Sequence, residues 1–98
     1  MYHSYSSLIC WVYIAETPLL KRKTITFCLE EDFKELLTGL KWRWMRMVYC
    51  RRFDTPAKAL AHKQMLHSLN DEALEEVIRQ SNPRYIDLVG KDKRIGEL

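Results

Sequence analysis

The sequence has little glycine and little proline, three of each in 98 residues. With so few glycines there is no loop that could cradle phosphates through its backbone N–H groups, which excludes the glycine-rich nucleotide folds. Cysteine is equally sparse. Cys10, Cys28 and Cys50 are odd in number and widely spaced, with no C-x-x-C pair, so neither a disulfide framework nor a thiolate metal site is expected and a reducing cytoplasm is the default compartment. No apolar run approaches the roughly 20 residues of a membrane span. The opening MYHSYSSLICWVYIA also lacks a basic leader, so it reads as a strand, with no secretion signal and no membrane partner. No nucleophile stands beside a base. His62 and His67 are five apart on one helix, about 140° around it, and cannot share a metal as an i, i+4 pair can. His62 reads as a satisfied core histidine and His67 as solvated.

What is present is ordinary globular material, 47% hydrophobic and 30% charged. One domain over residues 1–90 is expected, with a polar, frayed tail over 91–98. The net charge of +3 is small but unevenly spread. Lys21, Arg22 and Lys23 form one basic cluster, while the acids Glu30, Glu31, Asp32, Asp71 and Glu72 gather where helix dipoles favour them.

The chain divides by periodicity. Leu8 to Ala15 is nearly continuous apolar and suits a central strand buried on both faces, which Glu16-Thr17-Pro18 should end. After a charged turn at Lys21 to Lys23, Thr24 to Cys28 is β-branched and aromatic, giving a second strand and a hairpin. Phe33, Leu36, Leu37 and Leu40 have helical spacing behind three acids, with Gly39 as the C-cap. Trp42 to Phe53 reads as a long third strand with MVYC at the sheet centre. Thr55-Pro56 starts a helix whose apolar face is Ala59, Ala61, Met65, Leu66 and Leu69. Asn70 caps another with Leu74, Val77 and Ile78 inward, ended near Ser81 by Pro83. The expected fold is α+β: a single small domain, β-β-α-β-α-α, with a three-stranded, mainly antiparallel sheet flanked by helices.

Within the third strand, KWRWMRMVYCRR interleaves aromatics with cations, the combination that follows phosphates and stacks on bases. Lys41, Arg43, Arg46, Arg51 and Arg52 are therefore candidate nucleic-acid contacts. On the plainer reading both tryptophans fill the core and the arginines are solvated or paired with helix acids.

From Trp11 to Leu88 the order of elements and several words resemble the GIY-YIG nuclease domain, especially its short stand-alone bacterial members. Val12-Tyr13-Ile14 is similar to the GIY-like first strand, Met47-Val48-Tyr49 through Phe53 to the third strand, Ala59-Leu60-Ala61 to the start of the following helix, and Asn82-Pro83-Arg84-Tyr85-Ile86-Asp87-Leu88 to the closing NPEWRDL word. In active members the resemblance implies a one-metal DNA phosphodiester hydrolase using Mg or Mn. Two tyrosines and an arginine position water and phosphate there, and a helix glutamate holds the metal. Tyr13 matches the first tyrosine. Thr26 stands at the second tyrosine, Leu36 at the arginine and Lys63 at the metal glutamate, where an ammonium offers no lone pair.

The expectation is thus a GIY-YIG-like domain that has lost endonuclease activity, needs no cofactor and binds nucleic acid, with DNA favoured by the resemblance. Lys63 would join the phosphate contacts, its charge replacing the metal's. An active metal-dependent endonuclease with a rearranged site, using Asp32 or Glu35, is the alternative. A third reading is a protein-interaction or homodimer module anchored by Trp42 and Trp44.

Overall fold

The structure is a computed structural model, and it describes residues 8–89. The sequence expectation for the tail over 91–98 lies outside the described residues. Three strands, β1 (Cys10–Thr17), β2 (Arg22–Leu29) and β3 (Arg46–Phe53), form an antiparallel sheet in the order β2-β1-β3. Helices α1 (Glu30–Leu36), α2 (Pro56–His67) and α3 (Asp71–Ser81) flank it, so the order is β-β-α-β-α-α as expected.

β1 is central, and every residue from Cys10 to Glu16 is buried, which is why it reads as unbroken apolar sequence. Alternate side chains feed two cores. Cys10, Val12 and Ile14 pack with Ala59 and Leu66 of α2 and with Leu74 and Ile78 of α3. On the other face Trp11, Tyr13 and Ala15 pack with Phe33 of α1 and with Met47. A bulge in β3, where Ile14 opposes Tyr49 but Ala15 opposes Met47, leaves Val48 as the extra residue. It sends Met47 to the α1 face and Val48 and Tyr49 to the other.

Both expected caps form. Thr55 Oγ1 accepts from the Lys58 N–H at 3.2 Å, and Asn70 Oδ1 accepts from the Ala73 N–H at 2.7 Å. Each such cap stabilises its helix by about 1 kcal/mol.

Several boundaries differ from the sequence expectation. β1 starts at Cys10 and runs on through Glu16, which pairs across the sheet instead of ending the strand. Arg22 and Lys23 belong to β2 and not to the turn. α1 stops at Leu36, so Gly39 does not cap it. Leu40–Arg43 is a short 3-10 turn, and β3 begins only at Arg46, no longer than its neighbours. β3 is also an edge strand, and the closing segment covers part of that edge. The Leu88 N–H donates to the Met47 carbonyl at 2.8 Å, and the Met47 N–H donates to Asp87 Oδ1 at 3.1 Å. The inward face of α2 is Ala59, His62, Lys63 and Leu66, whereas Ala61 is exposed and Met65 is 41% exposed. The His62 ring and the Lys63 methylene stem cover apolar surface here.

Candidate functional site

The α1 face of the sheet carries three of the four positions compared with the nuclease family. Tyr13 lies mid-strand in β1, directly opposite Thr26 of β2 and Cys50 of β3, so these side chains share a face. Leu36 packs against the same cluster. Lys63 does not join them, because α2 packs on the opposite face of the sheet.

Lys41 takes the place beside Tyr13. The 3-10 turn swings it back over the sheet, where its Nζ donates to the Tyr13 hydroxyl at 3.4 Å. The ammonium also lies 5.5 Å from the Tyr13 ring centre and 5.1 Å from that of Trp42, an electrostatically favourable stack of cation on π faces. Trp42 is pinned in turn, its indole N–H donating to the Leu36 carbonyl at 2.8 Å. Tyr13 is therefore buried beneath Phe33, Trp42 and Lys41, at 4% exposure.

Trp42 and Trp44, which would share a face in the continuous strand expected from the sequence, are separated. Trp42 is half-buried, while Trp44 is 65% exposed beside exposed Arg43. The reason is the turn, which replaces the two-residue alternation of a strand with a three-residue period.

The remaining cations are divided between the faces. Arg52 Nε donates to Glu30 Oε1 at 3.3 Å, and the same oxygen accepts from the Trp11 indole N–H at 3.1 Å, on the α1 side. These donors hold the Glu30 carboxyl below its usual range. Arg51 is exposed on the other side, over the Phe53 ring. Nearby, His62 Nε2 and the Tyr49 hydroxyl are 2.7 Å apart, which makes His62 the satisfied, half-buried histidine that the sequence suggests. Burial, helped by the Arg51 charge, lowers the His62 pKa. His67 is exposed.

Among the described residues, no three His, Cys, Asp or Glu side chains converge as metal ligands would. Asp32 and Glu35 both project into solvent. Burial pushes the Cys50 thiol up to about 11, and burial aided by Asp32 does the same to Cys28, so both are protonated and unreactive at neutral pH.

One cluster has no counterpart in the sequence reading. Glu16 is 1% exposed, directly opposite Lys23 on β2 and Arg46 on β3. Arg46 Nη2 approaches Glu16 Oε1 at 2.8 Å and its Nε donates to the same oxygen at 2.9 Å. Lys23 Nζ is 3.5 Å from Oε2, and the Tyr85 hydroxyl donates to Oε2 at 3.2 Å. Burial alone would raise the Glu16 pKa, but Arg46, Tyr85 and Lys23 together hold it below the usual range. The Arg79 and Arg46 guanidinium groups lie 4.9 and 5.4 Å from the centre of the Tyr85 ring. The cluster fastens the closing segment to the sheet.

Within that segment the NP-R-Y-I-D-L word is structural. Buried Asn82 donates through Nδ2 to the Val48 and Ile86 carbonyls at 3.0 and 2.9 Å, and its Oδ1 accepts from the Ile86 N–H at 3.1 Å. A depression of about 280 Å³ at this turn is lined by Ser81, Asn82, Pro83, Arg84, Ile86 and Leu88, with no carboxylate among the described residues of its wall.

Neither a family model nor a curated protein nor a solved structure matches the chain. The likeness to the nuclease family rests on the quoted residues and the order of elements. Among the described residues no helix is long and apolar enough to cross a membrane.

Proposed function

We propose that this chain is a nucleic-acid-binding domain on a GIY-YIG-like fold that has lost the endonuclease chemistry. The observation that carries this reading is the turn before β3, which leaves the Trp44 indole and the Arg43 guanidinium exposed together and lays the Lys41 ammonium over Tyr13. An exposed indole offers a stacking surface to an unpaired base, and adjacent cations offer contacts to its phosphates. Catalysis is disfavoured by the donors themselves: Tyr13, Thr26, Leu36 and Lys63 include no carboxylate, so the positions resembling the family's site have no oxygen ligand suited to a hard divalent cation. Lys63, on the far face from Tyr13, has no part in the contact proposed here.

Anisotropy of labelled single-stranded DNA, titrated at low and moderate salt with magnesium present and followed by a denaturing gel, tests the proposal. Salt-sensitive binding with the DNA left intact is expected. Trp44→Ala should weaken it about 10-fold, in line with one lost base stack, and Arg43→Ala should reduce the salt slope by about 0.7. Absence of binding at low salt overturns the reading. Metal-dependent cleavage that disappears in Tyr13→Phe would instead establish an active nuclease.

The exposure of Leu40 and Trp44, at 67% and 65%, also suits a protein or homodimer contact. A mass that rises with concentration and reverts in Trp44→Ala would favour that second reading.

A further inference from the structure

The turn between β1 and β2 is built against its own local preferences. Four residues, Pro18 to Lys21, join the strands; a turn of this kind is ordinarily made from Gly, Pro, Asn, Asp or Ser, and only Pro18 fits that pattern. Here the tip is Leu19, 95% exposed, and Leu20, 67% exposed. Lys21 closes it with φ 53°, a left-handed conformation that suits glycine or asparagine, while its N–H donates to the Thr17 carbonyl at 2.7 Å. Neither leucine serves the core.

The charge around the tip is of one sign. Lys21 and Arg22 follow the leucines directly and are exposed, whereas Lys23 is drawn inward to Glu16 and Glu75. From Thr17 to Thr26 there is no acid. The register adds a second element: Arg46 opposes Glu16, so Arg43 and Trp44 emerge at the same end of the sheet as the hairpin tip.

We propose that this tip is an apolar wedge for duplex nucleic acid, in which Leu19 and Leu20 enter a base-pair step while Lys21 and Arg22 hold the flanking phosphates. The inference rests on the nucleic-acid reading above and assigns it a second contact. Leucine and proline are side chains that part stacked bases when pressed into a groove, and the kink brings more of the protein against the backbone. Insertion to the depth of one side chain is all the tip offers before its cations meet the surface. The position of the tip at the same end of the sheet as Arg43 and Trp44 favours a nucleic acid over a lipid surface, because one ligand can then meet both contacts. Steps that unstack easily, pyrimidine followed by purine, should be preferred over stiff A-tracts.

A duplex carrying 2-aminopurine at one T-A step provides the test, because that base brightens when unstacked. The full chain should bind it and raise its fluorescence several-fold. Leu19→Ser with Leu20→Ser should remove the rise and weaken duplex binding about 10-fold, with the salt slope and urea midpoint unchanged because neither side chain is buried. Lys21→Ala with Arg22→Ala should lower the salt slope by about 2, one for each phosphate contact. Duplex binding without brightening, unaffected by the leucine changes, overturns the wedge and leaves nucleic-acid binding standing. Absence of binding to any DNA overturns both. Leucine-dependent sedimentation with phosphatidylserine vesicles, without brightening of the duplex, would assign the tip to a membrane surface and overturn the wedge.

Discussion

Replacing Glu16 by glutamine should reveal how strongly the closing segment is tied to the sheet. The carboxylate is 2% exposed at its side chain and faces two cations, Arg46 at 33% and Lys23 at 14%. Losing one partner of a fully buried ion pair costs about 3–5 kcal/mol. Arg46 can turn partly to water, so a cost of about 2–3 kcal/mol is expected. For a domain whose total stability is about 5–15 kcal/mol, that is a large share. It corresponds to a fall of roughly 10–20 °C in Tm. In urea, with a slope of roughly 1–2 kcal/mol/M, the midpoint should drop by about 1–3 M, followed by tryptophan fluorescence. The charge also fixes the pH dependence. Glu16 titrates below its ordinary pKa in the fold, so its stabilisation is fully present above about pH 4.3 and is lost as pH falls through the lower folded value. The midpoints of the native protein and Glu16→Gln should therefore converge as the pH falls below about 4.3. Replacing both partners, Glu16→Leu with Arg46→Leu, should restore much of the loss, since Lys23 keeps Glu75 at 3.9 Å. An unchanged midpoint at pH 7, or a gap that does not narrow as the pH falls below about 4.3, would refute the assignment of this cluster as a charged tie.

Two further outcomes follow from the same side of the sheet. Asn82→Ala removes three hydrogen bonds at a buried position and should cost about 2–4 kcal/mol by thermal unfolding. Asn82→Asp should be worse at neutral pH, where a carboxylate faces two carbonyl oxygens, and should recover part of the loss at pH 4 as it protonates. The folded pKa of His62 is lowered, so the fold favours the neutral ring and native stability should fall as pH drops below about 6.5. His62→Gln, which keeps an acceptor for the Tyr49 hydroxyl, should flatten that slope in urea midpoints measured between pH 7 and 5.

Much of the fold was legible because the relevant forces are local. The β-branched, apolar run at Cys10 to Ala15 marks a central strand, and Thr55-Pro56 and Asn70 mark helix starts through their own hydrogen-bonding chemistry. The inward face of α2 was legible in part. Ala59, Leu66, Leu69 and the core histidine His62 lie inward as expected, with Tyr49 as the imidazole's partner, whereas Ala61 and Met65 are exposed and Lys63 is half-buried. A lysine looks solvent-facing when its own helix is considered alone, although its methylene stem can cover apolar surface supplied by another element.

The sites separate along the same line. Tyr13 could be compared with a family residue one position at a time, but the Glu16 cluster exists only through register, since Lys23 and Arg46 are on different strands and Tyr85 is 69 positions away. Before the hairpin register is known, Glu16 reads as the end of a strand. Register also decides what Trp42 and Trp44 can do. In a continuous strand both would share one face; the 3-10 turn instead buries the first against Leu36 and turns the second out beside Arg43. The aromatic and basic composition of KWRWMR was sufficient to raise the idea of nucleic-acid contact. The break in alternation selects Trp44 as the side chain able to make it, and places that side chain at the same sheet end as Leu19.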